Sequence, residues 1–377
     1  MIDWFSPEHE IRLNPRMPAP ERARLEAALA TALATGAFAE PHLFLVTSGT
    51  TSAGPGALKW VALAKRAFRA GARAANASLQ SDARDVWLHA LPDFHVGGLA
   101  IRARAQLVAA RVERGPEAWD AAAFVARAAE SSATLASLVP AQLHDLVRGG
   151  YRAPARLRAV LLGGGALGEP LWRASRELGW PILPTYGMTE CGSQVATAAL
   201  SDLARDDYPP LRLLPHLSAE VSADGRIRLR GSSLLTAYIT VDGVIVDPKV
   251  SGWLTTDDRG TAQDGVLRIS GRTRDLVKVG AENVDLARLD AVLDEVLRET
   301  GSVPTGLALF ASPDERLGCV IHAAAPDPEA ARAAVAAFNA RVFPYEQVRR
   351  VHRVSAIPRT ELGKLNRARL AELALTP

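Results

Sequence analysis

Short apolar runs alternate with helix-length stretches through the first half of the chain, and this alternation narrows the fold more than any other feature. The runs at residues 42–47, 86–91, 134–139, 157–162 and 181–185 are bounded by turn residues and too short for buried helices, so they read as strands. Helical stretches lie near 62–80, 98–109, 141–148 and 169–178, and an earlier helix over 19–35 has Pro20 and Glu21 in its first turn and Gly36 beyond its end. Strand then helix, repeated, implies a mostly parallel sheet covered on both faces. Past residue 210 the texture turns β-rich, with Asp224-Gly225 and Asp264-Gly265 as hairpin signals for an antiparallel appendage. Near Gly271 the alternation resumes, with a helix over 286–299, strands near 303–311 and 317–324, a helix near 328–341 and a basic tail. The expected division is a large domain over residues 1–270 and a small one over 271–377.

Composition excludes several classes. At 377 residues, 48% apolar and 23% charged, the chain matches a soluble protein of two domains. A net charge of +3 is too small to imply nucleic-acid or membrane binding. Cys191 and Cys319 stand far apart without CxxC spacing, which argues against a disulfide scaffold and a cysteine-built zinc site. Glu8 and Glu10 interrupt the start of the chain, and no apolar run reaches about 18 residues, so neither a cleaved signal nor membrane insertion is expected and a cytoplasmic location fits best. Only five residues are lysine (Lys59, Lys65, Lys249, Lys278 and Lys364) in a chain that otherwise writes arginine, which makes each a stronger functional candidate.

Two glycine-rich loops follow strands. Thr47-Ser48-Gly49-Thr50-Thr51 opens a loop of hydroxyls and small residues that lets backbone N–H groups approach an anion, with Lys59 downstream as a positive charge. Pro55-Gly56 after Gly54 rules out the Walker pattern, and an ordinary strand-to-helix loop is the alternative reading. Gly163-Gly164-Gly165-Ala166-Leu167-Gly168 satisfies GxGxxG, yet the next strand, 181–185, ends without the acidic residue a dinucleotide fold requires. Close backbone approach to another ligand is the better reading.

Taken in order, these loops and further motifs resemble the adenylate-forming enzymes of the acyl-CoA synthetase and luciferase superfamily. The resemblance is carried by the 47–51 loop with Lys59, Tyr186-Gly187-Met188-Thr189-Glu190, Gly252-Trp253-Leu254-Thr255-Thr256-Asp257-Asp258-Arg259-Gly260, Gly271-Arg272 with Asp275 and Lys278, and Pro358-Arg359-Thr360 with Gly363-Lys364. Phe94-His95-Val96-Gly97-Gly98-Leu99 with Arg104, the run 137–143, and the run 157–165 are similar to the o-succinylbenzoate-CoA ligases of menaquinone biosynthesis. The resemblance implies a large α/β adenylation domain with a β-rich appendage and a small mobile C-terminal α+β domain. It also implies two half-reactions using ATP, Mg2+ and coenzyme A, with small molecules as the only partners: a carboxylate attacks the α-phosphate to give an acyl-adenylate, then the CoA thiol displaces AMP. Another aryl or acyl carboxylate as substrate, or a non-catalytic nucleotide-binding relative, are the alternatives.

By the same resemblance Lys364 is the catalytic cation, Thr189 bonds phosphate, and Glu190 holds Mg2+. Thr47, Ser48, Gly49, Thr50, Thr51, Lys59, Gly164, Gly165, Thr185, Tyr186, Gly187, Met188, Asp258 and Arg272 line the nucleotide, Tyr186 stacking on adenine and Asp258 accepting the ribose hydroxyls. Lys278 is a further cofactor-binding candidate, and Gly280, Ala281 and Glu282 approach CoA after the small domain pivots near Arg274-Asp275. His95, Gly98, Arg104 and Gly163 line the acid pocket, where Arg104 would bind the substrate's second carboxylate. Taken alone, Asp258 also fits a solvated turn, Tyr186 a half-buried aromatic, His95 a core histidine, Arg102 and Arg104 exposed helix positions, and Lys364 a solvated tail. Three departures accompany the likeness. The path from Ser52 to Lys59 is longer than usual, Arg274 stands where an acidic residue is common, and only 46 residues precede Thr47, so an N-terminally shortened form is expected.

Overall fold

A computed structural model describes residues 2–17, 19–48, 58–165, 167–272, 276–279, 282–300, 306–314, 317–360 and 363–376. Strand β1 (Glu10–Arg12) and helix α1 (Ala19–Ala34) lead into β2 (His42–Ser48), β3 (Leu58–Ala64) and α2 (Lys65–Leu79). The alternating region follows as β4 (Val86–His89), α3 (Val96–Val108), β5 (Arg111–Arg114), α4 (Ala121–Glu130), β6 (Leu135–Leu138), α5 (Pro140–Arg148), β7 (Ala159–Leu162), α6 (Glu169–Glu177) and β8 (Ile182–Met188). The β-rich stretch comprises β9 (Ser193–Thr197), β10 (Leu211–Leu213), β11 (Leu217–Val221), β12 (Arg226–Gly231), β13 (Ala237–Ile239), β14 (Ile245–Val246), β15 (Lys249–Val250), β16 (Trp253–Gln263) and β17 (Val266–Arg272). Then come β18 (Leu276–Val279), β19 (Glu282–Asp285), α7 (Leu286–Glu299), β20 (Ala308–Asp314), β21 (Gly318–Ala325), α8 (Arg332–Asn339), β22 (Val351–Arg353) and α9 (Arg367–Leu375). Two compact units result: Met1–Thr256 with Thr261–Arg268, and Asp257–Gly260 with Ile269–Pro377.

In the first unit β4, β5, β6, β7 and β8 pair in parallel. Their side chains alternate between two cores. Leu88, Leu138, Val160, Leu162 and Ile182 pack with Phe124, Leu143 and Trp172 of α4, α5 and α6. Trp87, Leu135, Ala159, Leu161 and Leu183 pack on the other face with Leu79, Ile101 and Ala105 of α2 and α3. The sheet is therefore buried on both sides, as continuous apolar strands require. β8 carries it into the antiparallel half: its first residues pair with β7 and Thr185 onward pairs with β9. Asp264 (φ 51) and Gly265 (φ 73) form the tight β16–β17 turn with both residues left-handed, the geometry that suits a two-residue hairpin.

A second sheet of this unit runs β1-β2-β3-β13-β14. It corrects the sequence reading at one place: the stretch expected as helix from 62 begins as strand β3, paired antiparallel with β2, and helix starts only at Lys65. The loop after Ser48 therefore joins two strands and is not a strand-to-helix loop. Two of the scarce lysines serve structure. Lys65 Nζ donates to Asp3 O (3.1 Å) and Ser6 Oγ (3.0 Å), and Lys249 Nζ donates to Leu235 O (2.8 Å) and Thr236 O (2.9 Å).

The second unit has its own sheet, ordered β19-β18-β21-β20 with β22 beside β21. Leu309, Ile321 and Ala323 face α7 and α8, while Ala308, Phe310 and Ala324 face Leu370 of α9. Helix α9 occupies what read as a basic tail, started by Asn366, whose side chain accepts from Arg369 N.

Candidate active site

In a parallel α/β sheet ligands bind beyond the carboxyl ends of the strands, and there the first unit gathers most of its candidates. β7 is followed by Gly163, where a Cβ would fall 2.5 Å from Thr185 Oγ1, so a larger residue would have to displace that hydroxyl. Thr185 Oγ1 donates to Leu162 O at 3.2 Å. Gly164 and Gly165 are exposed beside them. β8 ends in Tyr186-Gly187-Met188 with a register shift against β9 between Tyr186 and Gly187, and the tight helical turn Thr189–Cys191 follows. Tyr186, Thr189 and Glu190 are half-buried at this edge.

Glu190 is held from the second sheet. Its carbonyl accepts from Leu235 N (2.8 Å), and its carboxylate Oε1 accepts from the Tyr238 hydroxyl (3.0 Å). The Lys59 ammonium, 5% exposed, lies 3.3 Å from the Tyr238 ring centroid. Thr47 stands directly opposite Lys59 across the β2–β3 pair. Sequence reasoning missed Tyr238; its only signal was a short aromatic-bearing run, Ala237-Tyr238-Ile239.

On the acid-pocket side, α3 begins right after His95, whose ring packs on Phe94 at 4.6 Å, and Gly98 lies against the Leu91–Pro92 backbone. Asp93 fixes this entrance. It accepts two hydrogen bonds from Arg102 (both 2.6 Å), and His89 Nε2 lies 3.1 Å from its Oδ1 and 3.0 Å from Gly98 O. Burial pushes the Asp93 carboxyl up, but the hydrogen bonds from His89 and Arg102 outweigh it and hold it well below the usual carboxylate range.

Arg104 is not an exposed helix position: it is 3% exposed, and burial pulls its pKa down to about 9, which leaves it a cation at neutral pH. Its Nη2 lies 3.4 Å from Ser193 Oγ and its guanidinium 5.8 Å from the Trp87 ring. Among the described residues it meets no carboxylate, and its buried Nε has no hydrogen-bond partner. Ser193 itself has φ 110, a conformation costly for a residue with a Cβ and typical of sites where strain serves function.

Below the turn, His216 and Ser233 meet α2 at Gly71 together with the Cys191 carbonyl. Both His216 ring nitrogens are buried without a hydrogen-bond partner, and burial lowers its pKa to about 4. The unfolded chain takes up a proton near 6.5 and the folded one only near 4, so this histidine's share of stability is complete above pH 6.5 and is lost as pH falls toward about 4. Urea unfolding of His216→Gln against wild type across that window should show a flatter acid loss in the variant; parallel curves would exclude His216 as a contributor.

The remaining candidates lie in the second unit or outside the described residues. Asp258, on β16, is 5% exposed, so it is no solvated turn. Arg272 closes β17, Lys278 pairs with Asn283 and Glu282 with Val279 in the β18–β19 hairpin. Lys364 is half-buried at a turn closed by Thr360 N to Lys364 O (2.7 Å) and Lys364 N to Thr360 Oγ1 (3.2 Å). Gly49, Thr50, Thr51, Gly280, Ala281 and the pivot Arg274-Asp275 lie outside the described residues, as does the side chain of Ser48.

The first unit thus holds glycine-lined strand ends, a Thr-Glu turn and a buried guanidinium, and a separate small α/β unit accompanies it. Residues 18–228, more than half of the chain, match the model of the AMP-binding enzyme family, and the chain belongs to that family. It is 32% identical to the 2-succinylbenzoate–CoA ligase of Geobacillus kaustophilus over 357 residues, covering 89% of this chain and 69% of that one. It is 32% identical to the enzyme of the same name from Bacillus cytotoxicus over 268 residues, covering 68% of this chain and 54% of that relative. The solved o-succinylbenzoate CoA synthetase of Bacillus subtilis, in complex with the acyl-adenylate intermediate, superposes with a TM-score of 0.73 at 26% identity, covering 87% of this chain and 68% of that one. No described helix is long and apolar enough to cross a membrane.

Proposed function

We propose that this protein is an AMP-forming acid–thiol ligase that joins o-succinylbenzoate to coenzyme A through an acyl-adenylate. The observation that carries the choice of acid is Arg104, a buried cation bonded to Ser193 three residues past Glu190 and matched by no carboxylate among the described residues. A substrate with a second carboxylate that is not activated supplies that missing anion, and a bidentate guanidinium discriminates against monocarboxylates. In the first step the other carboxylate attacks the α-phosphate of ATP and pyrophosphate leaves; in the second the CoA thiol attacks the acyl carbon and AMP leaves. Thr189 and the 47–51 loop bind phosphate, Tyr186 and Asp258 bind the nucleoside, and the second unit acts as a mobile domain that brings Lys364 to the first step and the 278–282 segment to the second.

Among the described residues no three acidic, histidine or cysteine side chains cluster to make a metal cage. A single carboxylate at Glu190 suits Mg2+, which takes one or two carboxylates with phosphate oxygens and keeps its waters. Bound with the triphosphate, Mg2+ would neutralise phosphate charge. Incubating the protein with ATP, CoA and a panel of acids, and reading thioesters by mass spectrometry, tests the proposal. o-Succinylbenzoyl-CoA is the expected product. A thioester with a different acid alone would reassign the substrate, and background pyrophosphate release with every acid despite ATP binding would mark a non-catalytic nucleotide-binding relative.

A further inference from the structure

The five-stranded sheet buries one face and turns the other toward the Thr189–Cys191 turn. Phe44, Trp60, Ala62, Ala237 and Ile239 pack into the core under α1. Strand alternation therefore puts Thr47, Lys59 and Tyr238 together on the opposite face: Thr47 pairs with Lys59, and Tyr238 pairs with Val61, two residues along from Lys59. This register explains how the Lys59 ammonium comes to lie 3.3 Å from the centroid of the Tyr238 ring while the phenol hydroxyl reaches Glu190 Oε1 at 3.0 Å.

From this we infer that Tyr238 is a positioning residue for the Glu190 carboxylate, fixing which of its oxygens faces the nucleotide-bound metal; the inference rests on the adenylating function proposed above. Three features support it. The hydroxyl donates to a single carboxylate oxygen, so the group is locked in rotation and its other oxygen is kept for a metal. A second pin, Leu235 N to Glu190 O, comes from the same segment as Tyr238 and fixes the main chain of the turn. The cation over the ring draws electron density from the phenol and strengthens its O–H as a donor. A carboxylate that ligates a metal gains affinity when a neighbouring donor orients it, and losing such a partner costs roughly 10- to 100-fold in metal affinity.

Calorimetric titration of ATP, once with Mg2+ and once with EDTA, tests this in Tyr238→Phe, Glu190→Gln and the double variant. Tyr238→Phe keeps the ring beneath Lys59 and removes only the hydroxyl, so it should melt with wild type. ATP binding should weaken about tenfold with Mg2+ and stay unchanged in EDTA, and the substitution should add nothing in the Glu190→Gln background. Glu190→Asp, which keeps the charge but withdraws it from the Tyr238 hydroxyl, should reproduce the Mg2+-specific loss. Equal weakening with and without Mg2+, additive losses in the double variant, or wild-type affinity in Tyr238→Phe would each overturn the role of Tyr238. A wild-type protein that binds no ATP at all would instead overturn the adenylating function, and this inference with it.

Discussion

Replacing Lys364 with alanine should slow acyl-adenylate formation by about 100- to 1,000-fold, the effect of removing one preorganised charge from a developing anion, while leaving the thioester step with supplied acyl-adenylate close to wild type. The first half-reaction drives a carboxylate into a phosphate, so negative charge meets negative charge and a nearby ammonium lowers that barrier directly. The second half-reaction has a neutral acyl carbon as its electrophile and makes no such demand. Structure favours a clean experiment. The turn around Lys364 is closed by main-chain groups and Thr360, and Gly363 at φ 74 takes the left-handed position. These bonds are made by main-chain atoms and the Thr360 hydroxyl, which alanine at 364 retains, as it does the α9 cap at Asn366 that follows. ATP–pyrophosphate exchange reads the first step, and thioester formation from synthetic acyl-adenylate reads the second. Equal loss in both would show that Lys364 holds the second unit together rather than serving one reaction.

Much of this arrangement was legible before any coordinates, for reasons that differ by residue. The parallel strands β4, β6 and β7 bury both faces, so their apolar runs are continuous and bounded, whereas β5, with its alternating charges and partly exposed residues, carried no such signal and was missed. Helix α7 matched its expected span of 286–299 because Asp285 caps it and its apolar face repeats at helical spacing. β3 was misread because Ala62, Leu63 and Ala64 run into the alanine-rich α2 without a turn residue. What sets the boundary at Lys65 is pairing with β2 and a bond from Lys65 N to Pro41 O, both contributed by residues distant in sequence. The site divides the same way. Gly163, Tyr186, Thr189, Glu190 and Lys364 belong to contiguous motifs and could be named as candidates from the family resemblance those motifs carry. Tyr238, Asp93 and Ser193 reach the site only through sheet register or across a helix, and no local pattern marks them.

Arg104→Leu separates binding from folding more sharply than any other substitution, because the two effects should have opposite signs. The guanidinium sits 3% exposed in the middle of α3 with a single long hydrogen bond to Ser193 and its Nε buried without a partner. Burying a charge that is not paired costs the free protein stability, and exchanging buried ionic groups for well-packed apolar ones is often stabilising by about 1–4 kcal/mol. Leucine fills the space of the arginine stem beside Trp87, so thermal melting of the ligand-free variant should rise. Acid binding should fall in the same protein, since truncating one member of a buried charge pair costs about 2–5 kcal/mol, roughly a 30- to several-thousand-fold rise in KM for the dicarboxylate, with KM for ATP unchanged. Arg104→Lys should recover only part of it, because an ammonium cannot make the paired hydrogen bonds of the planar guanidinium. A variant that lost stability and bound the acid as well as wild type would assign Arg104 to the packing of α3 and leave the second carboxylate to another residue.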